Sequence, residues 1–133
     1  MTQDREDKLA RIREVMIYYG IEPGVHGFEH LAYCVLFRSE DRLAPFSEIF
    51  QRAADATGRS RGMIPHLVRS AVERSPRFPK RVEETGGVSY SSYLLYPSLA
   101  IAYLERFLNL PYPRPVRASR ADAGDNTVKV SNN

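Results

Sequence analysis

The chain has 133 residues, 43% of them hydrophobic and 26% charged, which predicts one globular domain with a sizeable core. It has no run of 18 apolar residues and no charged-then-apolar leader, so we expect a cytoplasmic protein that is neither secreted nor inserted in a membrane. Its one cysteine, Cys34, excludes an internal disulfide and a cysteine-based metal site, and the apolar residues around it predict a buried, inert thiol.

The first third of the chain predicts two helices. Residues 4–19 carry an apolar stripe of helical period, and Gly20 follows as a stop signal. A second helix is expected from about His26 to Arg38, where the apolar positions repeat every three or four residues. Pro45 then fits the first turn of a third helix, because its missing N–H would be unpaired there in any helix.

Residues 46–74 predict two short helices joined by a tight turn, which is the helix-turn-helix pattern. The apolar stripes are Phe46, Ile49, Phe50, Ala53 and Ala54 in the first helix, and Ile64, Leu67, Val68, Ala71 and Val72 in the second. Gly58 suits the left-handed conformation that ends a helix. Ser60 can cap and start the second helix, which is expected over 61–74 after a turn of three or four residues.

The same stretch is locally basic. Residues 51–82 contain eight basic and two acidic side chains, a net charge of +6, while the whole chain carries +3 and the remainder therefore −3. A local basic surface is typical of proteins that bind the phosphates of duplex DNA. An ordinary solvated pair of helices that happens to be basic is the alternative.

The last third predicts less regular structure. The prolines of residues 75–79 are expected to prevent a helix, a short helical turn is expected over 80–85, and an ordered connection over 88–96. A helix over 97–108 has hardly any polar face, so it is expected to be buried in this domain or in a second copy. The domain is predicted to span residues 1–110, followed by a Pro-rich, then polar and disordered, tail over 111–133.

A second motif indicates different chemistry. His26, Glu29 and His30 match H-x-x-E-H, the inverted zinc-hydrolase signature, in which two histidines ligate Zn²⁺ and the glutamate acts as general base. No third ligand is marked in the sequence, and Phe28 and Leu31 commit the neighbouring face to the core. We therefore predict neither a metal site, nor a cofactor, nor a small-molecule substrate, and no enzyme activity.

The expected DNA-contacting residues follow from the helical period. The N-terminal residues of the second helix of a helix-turn-helix enter the major groove, and flanking side chains bind phosphates. Arg61 and Arg69 are expected to carry binding, and Arg59 and Arg52 to hold the backbone. The full predicted set is Arg52, Arg59, Ser60, Arg61, Met63, His66 and Arg69.

Residues 12–110 resemble the C-terminal DNA-binding domain of the sporulation master response regulator, stage-zero sporulation protein A. The sequence GIEPGVHGFEHL over 20–31 is similar to that family's G-[VI]-x-x-x-[VI]-x-G-[YF]-x-x-L, and IPHLVRSAV over 64–72 is similar to V-x-x-x-I-R-x-A-I. The helix over 97–108 also has a counterpart. The resemblance implies an all-α domain, major-groove recognition, and head-to-tail pairing of two copies on tandem DNA sites.

The chain departs from that family in two ways. Family members carry a phosphorylatable receiver domain before the DNA-binding domain, and this sequence has none. The resemblance therefore does not imply control by phosphorylation. Gly62-Met63 and Pro65-His66 replace polar residues of the family's recognition helix, and only Arg69 of its charged set remains. The leading hypothesis is a sequence-specific transcriptional regulator; the alternatives are an interaction module that lost DNA contact, and the zinc hydrolase.

Overall fold

The computed structural model describes residues 2–84 and 96–110. Over these residues the chain forms six helices and no strand, which confirms the all-α prediction. The helices are α1 (Gln3–Tyr18), α2 (Phe28–Glu40), α3 (Phe46–Thr57), α4 (Met63–Glu73), α5 (Arg77–Glu84) and α6 (Pro97–Leu108). Apart from Tyr96, the predicted connection over 88–96 and the predicted tail over 111–133 lie outside the described residues.

Helix α2 is the centre of the fold, because it packs against α1, α3, α4 and α6. The apolar stripes predicted for α1 to α4 point inward and are buried, except that Phe46 and Phe50 are only partly covered. Cys34 lies in this core, and burial raises the pKa of its thiol to about 12. The predicted burial of the thiol is therefore confirmed, and a raised pKa disfavours the thiolate that acts as a nucleophile.

The connection between α1 and α2, residues 19–27, lies against α4 and α5. Gly27 has φ +100°, and a Cβ there would stand 2.1 Å from the carbonyl oxygen of Leu67 in α4. Gly20 has φ +99°, and a Cβ there would stand 2.9 Å from the backbone of Arg77 and Phe78 at the start of α5. Only glycine combines this backbone conformation with so close an approach.

Hydrogen bonds reinforce the same contact. The fully buried hydroxyl of Ser75 accepts the N–H of Glu22 at 3.0 Å and donates to the carbonyl of Ala71 at 2.8 Å. The guanidinium of Arg81 donates to the carbonyl of Tyr18 at 2.8 Å. The α1–α2 connection therefore holds both the C-terminal end of α4 and the beginning of α5.

The starts of α2 and α5 differ from the predictions. Helix α2 begins at Phe28 instead of about His26, because the left-handed Gly27 cannot be part of a helix. Helix α5 begins at Arg77, although prolines were expected to prevent a helix there. Pro79 is the third residue of α5, and the first N–H groups of a helix have no partner within it, so no hydrogen bond is lost.

Helix α6 has the predicted bounds, but only part of it is buried. Leu104 is fully covered, whereas Leu99 is 38% exposed, so this domain alone does not bury the helix all round. Glu105 is only 2% exposed; its carboxylate lies 3.3 Å from Arg42 and accepts the Asn109 amide at 2.8 Å. The charge inside this helix is thus paired and hydrogen-bonded.

No helix within residues 2–84 and 96–110 combines the length and the apolar character that crossing a membrane requires.

Candidate nucleic-acid interface

The connection between α3 and α4 consists of residues 58–62. Gly58 follows the last residue of α3 with φ +73°, which confirms the predicted left-handed helix end. The connection has five residues instead of the expected three or four, because two N–H···O bonds fold it into a turn before α4 begins. These bonds run from Met63 to Ser60 at 3.1 Å and from Ile64 to Arg61 at 3.2 Å.

This turn corrects two expectations about the start of α4. Ser60 was expected to cap the helix, but the residue before α4 is Gly62, and no side chain caps it. Arg61 was expected to be the first helical residue and instead lies two positions before Met63. Pro65 has no backbone N–H, yet it does not interrupt the helix. It is the third residue of α4, where the helix needs no donor, and α4 runs on as one α-helix to Glu73.

Helix α4 separates a buried face from an exposed one. Its apolar stripe is at most 5% exposed and packs in the core. In the connection and the outer face of α4, six of the predicted residues are solvent-exposed: Arg59, Ser60, Arg61, Met63, His66 and Arg69. The structure therefore brings these six side chains to one end and one face of the α3–α4 pair.

The arginines of this surface differ in how far acidic neighbours neutralise them. Arg59 and Arg61 form no ion pair with any residue that the structure describes. Arg69 approaches Glu73 at 3.4 Å, but both side chains are half exposed, so the pair is weak. The two arginines next to α4 thus keep their full charge available for a partner.

Arg52, the seventh predicted residue, has a different environment. It lies on α3, where its guanidinium binds Glu48 one turn earlier and approaches Asp41 at 3.4 Å. The hydrogen bond with Glu48 raises the pKa of the guanidinium, as do the weaker contributions of Asp41. Because its charge is already balanced, Arg52 is a poorer candidate for a phosphate contact than the sequence suggested.

The three residues of the H-x-x-E-H motif lie at and just before the beginning of α2. The carboxylate of Glu29 accepts two N–H groups of Arg13, at 2.7 and 2.9 Å, instead of being free to act as a base. His26 precedes α2, and its ring centroid is 6.3 Å from that of His30. Among the residues that the structure describes, no three His, Cys, Asp or Glu side chains converge on a common point for a metal.

His30 instead lies near the predicted interface. Burial lowers the pKa of its imidazole, and the positive charges of Arg59 and His26 lower it further, against a smaller opposing effect of Glu29. The Nδ1 atom of His30 is buried and has no hydrogen-bond partner among the described residues. The beginning of α2 and the α3–α4 connection are therefore close enough to influence each other electrostatically.

Three of the eight basic residues in the segment over 51–82 are Arg74, Arg77 and Lys80, for which the sequence pattern predicted no position. In the structure they are exposed where α4 gives way to α5. The missed signal was Phe78 and Val82, two apolar residues at helical spacing that bury one side of α5 and so turn the basic residues outward.

No family model, no curated protein and no solved structure matches this chain. The resemblance to the sporulation regulator therefore depends on the motifs over 20–31 and 64–72 and on the counterpart of the helix over 97–108.

Proposed function

We propose that the protein binds duplex DNA in a sequence-specific manner and regulates transcription. One observation carries the proposal. Arg59 and Arg61, without acidic partners in the described chain, flank the exposed N-terminal end of a helix whose opposite face is fixed in the core. A helix end of this kind fits the major groove, and unneutralised guanidinium groups can bind phosphates or guanine edges.

Within this proposal the predicted residues divide into two groups. Arg61, Met63 and His66 stand at the beginning of α4, where side chains would reach base edges. Arg59 in the connection is better placed for the phosphate backbone, while Arg69 lies two turns further along the exposed face. Arg52 is left out, since Glu48 and Asp41 already bind it.

The resemblance to the sporulation regulator domain supports the same function and also implies how two copies would be arranged on DNA. The sporulation regulator domain pairs head to tail on tandem sites, so two copies of this chain on adjacent DNA half-sites are part of the proposal. Sedimentation with one and with two copies of a selected site tests this directly. A complex that holds one chain on both DNAs contradicts the pairing but not DNA binding.

The central experiment selects a bound sequence from random duplexes and then measures affinity across a salt series. Replacing both Arg59 and Arg61 by glutamine should lower the affinity for the selected site by about 2–6 kcal/mol, because each arginine contact is worth about 1–3 kcal/mol. Arg52→Gln is the control on α3 and should leave affinity nearly unchanged. Equal, salt-independent binding of all variants to every duplex would exclude the proposed function.

Single substitutions then separate the two kinds of contact. Arg61→Ala should relax the preference at one base position, whereas Arg59→Ala should weaken all sequences alike and reduce the salt slope by about one unit. Arg69→Ala tests whether the outer face of α4 also reads bases. If Arg59→Ala changes sequence preference while Arg61→Ala does not, the two roles are exchanged.

A non-catalytic interaction module is the second candidate, and one observation favours it. Leu43 in the α2–α3 loop is 96% exposed, and Leu99 on α6 is partly exposed. The contact between Arg42 and Glu105 places that loop beside α6. Wild-type protein that fails to bind any duplex but forms a dimer weakened by Leu43→Ser would support this candidate.

A further inference from the structure

The beginning of α5 carries a cluster of positive charge separate from the α3–α4 connection. Arg77 is the first residue of α5 and Lys80 the fourth, so the two lie on neighbouring positions of one helix surface. Arg74 directly follows α4, three residues earlier. All three are exposed, and none forms an ion pair with another residue that the structure describes.

The charge in the first turn of α5 is the reverse of what stabilises a helix. This turn contains basic residues and no acidic one, while the last turn carries Arg81 together with Glu83 and Glu84. The helix dipole favours negative charge at the N-terminus and positive charge at the C-terminus. An arrangement that opposes local stability is expected where the charges serve binding.

The cluster also has a rigid support. Phe78 and Val82 bury the inner side of α5 completely, and Lys80 projects from the opposite side of the helix. The close approach of Gly20 to the backbone of Arg77 fixes where the helix begins. The cations therefore occupy a defined position relative to α4, although their side chains remain free.

We propose that Arg74, Arg77 and Lys80 bind phosphates of the DNA backbone beside the groove that α4 enters. This inference depends on the proposed function. Helix α4 has 11 residues and is therefore about 16 Å long, while the major groove is about 12 Å wide. With the N-terminal end of α4 in the groove, its C-terminal end and the start of α5 reach the phosphates along the groove edge.

The test replaces Arg77 and Lys80 by glutamine, which removes two charges and retains the side-chain stems. The selected DNA site and random duplexes are titrated with wild-type and variant protein from 50 to 200 mM salt. The loss of two phosphate contacts should reduce the slope of log affinity against log salt concentration by about 1.8. Between 50 and 200 mM salt, the variant should therefore lose about tenfold less affinity than wild type does, and equally so on both DNAs. Thermal melting verifies that the variant is folded.

The matched control is Lys8→Gln with Arg106→Gln, which changes net charge equally at exposed or half-exposed positions of α1 and α6. It should retain the wild-type slope. A folded Arg77/Lys80 variant with the wild-type slope overturns the inference. An equal change of slope in the control variant also overturns it, because net charge alone would then explain the effect. If wild type binds anionic phospholipid vesicles through Arg77 and Lys80 more tightly than duplex DNA, the inference is also wrong. Wild-type protein without salt-dependent DNA binding instead refutes the proposed function itself.

Discussion

The two connections that contact or precede α4 use glycine for opposite purposes. In the α1–α2 connection, Gly27 is pressed against Leu67 so closely that any side chain would collide with backbone. In the α3–α4 connection, Gly62 has ordinary helical dihedral angles and nothing within 4 Å of where a Cβ would stand. Gly27 therefore determines the position of α4, while Gly62 can be replaced without disturbing the fold.

This contrast assigns stability and recognition to opposite sides of one helix. The buried side of α4 contacts α2, α3 and α6 and the α1–α2 connection, and substitutions there should cost free energy of unfolding. The exposed side has no such contacts, so substitutions there should change binding alone. Three predictions test this separation.

The largest effect is expected for Leu67→Asp. Leu67 is 5% exposed, and the substitution both removes its packing, worth about 2–5 kcal/mol, and buries an unpaired carboxylate at a cost of several kcal/mol more. Because a small domain has about 5–15 kcal/mol of stability in total, the variant should be unfolded by circular dichroism. His66→Asp, next to it on the exposed side, should melt within a few degrees of wild type. Similar melting of both variants would contradict the separation.

Gly27→Ala is expected to have the next largest effect. The strain of a positive φ and the collision with the Leu67 carbonyl should together lower the free energy of unfolding by about 2–5 kcal/mol. Gly62→Ala should be neutral or stabilise by up to about 1 kcal/mol, since its backbone conformation suits alanine. Urea denaturation measures both. An unchanged midpoint for Gly27→Ala would show that α4 can move away from α2.

The smallest effect is expected for the dependence of stability on the pH through His30, the third residue of α2. Its folded-state pKa is below the ordinary value of 6.5, mainly through burial and then through Arg59. As pH falls below 6.5 the unfolded chain takes up the proton first, so stability should decrease until the pH is below the folded pKa. The loss should be under about 1 kcal/mol, because the ring is partly solvated.

Denaturation between pH 7.5 and 5 measures this dependence. His30→Gln should flatten the curve over that range, and Arg59→Gln should flatten it only in part, because Arg59 is the second cause of the lowered pKa. A wild-type protein that becomes more stable as pH falls through 6.5 would show that the imidazole gains a stabilising partner when charged.

The sequence predicted the features of this fold that depend on local periodicity. The stripes of α1 to α4 and both ends of α6 follow from apolar spacing and from Pro97 at the first helical position. The predictions failed where the same residue is compatible with both a helix and a helix end. Pro79 was interpreted as a helix breaker, but at the third position of α5 it costs nothing, and only the burial of Phe78 decides that the helix forms.

Non-local contacts explain what could not be predicted at the candidate interface. The charge of Arg52 is balanced partly by Asp41 in the preceding loop, a contact that the sequence does not predict. Its other partner, Glu48, lies one helical turn away and could have been predicted from the sequence. The role of Gly27 depends on a carbonyl 40 positions later, at Leu67, and no local pattern reports such an approach. Exposure of Arg59 and Arg61, by contrast, followed from their position outside both stripes.

Pro65 has a consequence for how α4 can recognise anything at its exposed end. Many helices bind anions through their first free N–H groups. Here the N–H groups of Met63 and Ile64 are already bonded to Ser60 and Arg61, and Pro65 has none. The first three residues of α4 therefore offer a ligand their side chains but no free N–H group. The contribution of these three residues to affinity and specificity can change by single substitutions, because they supply no main-chain donor that all variants would share.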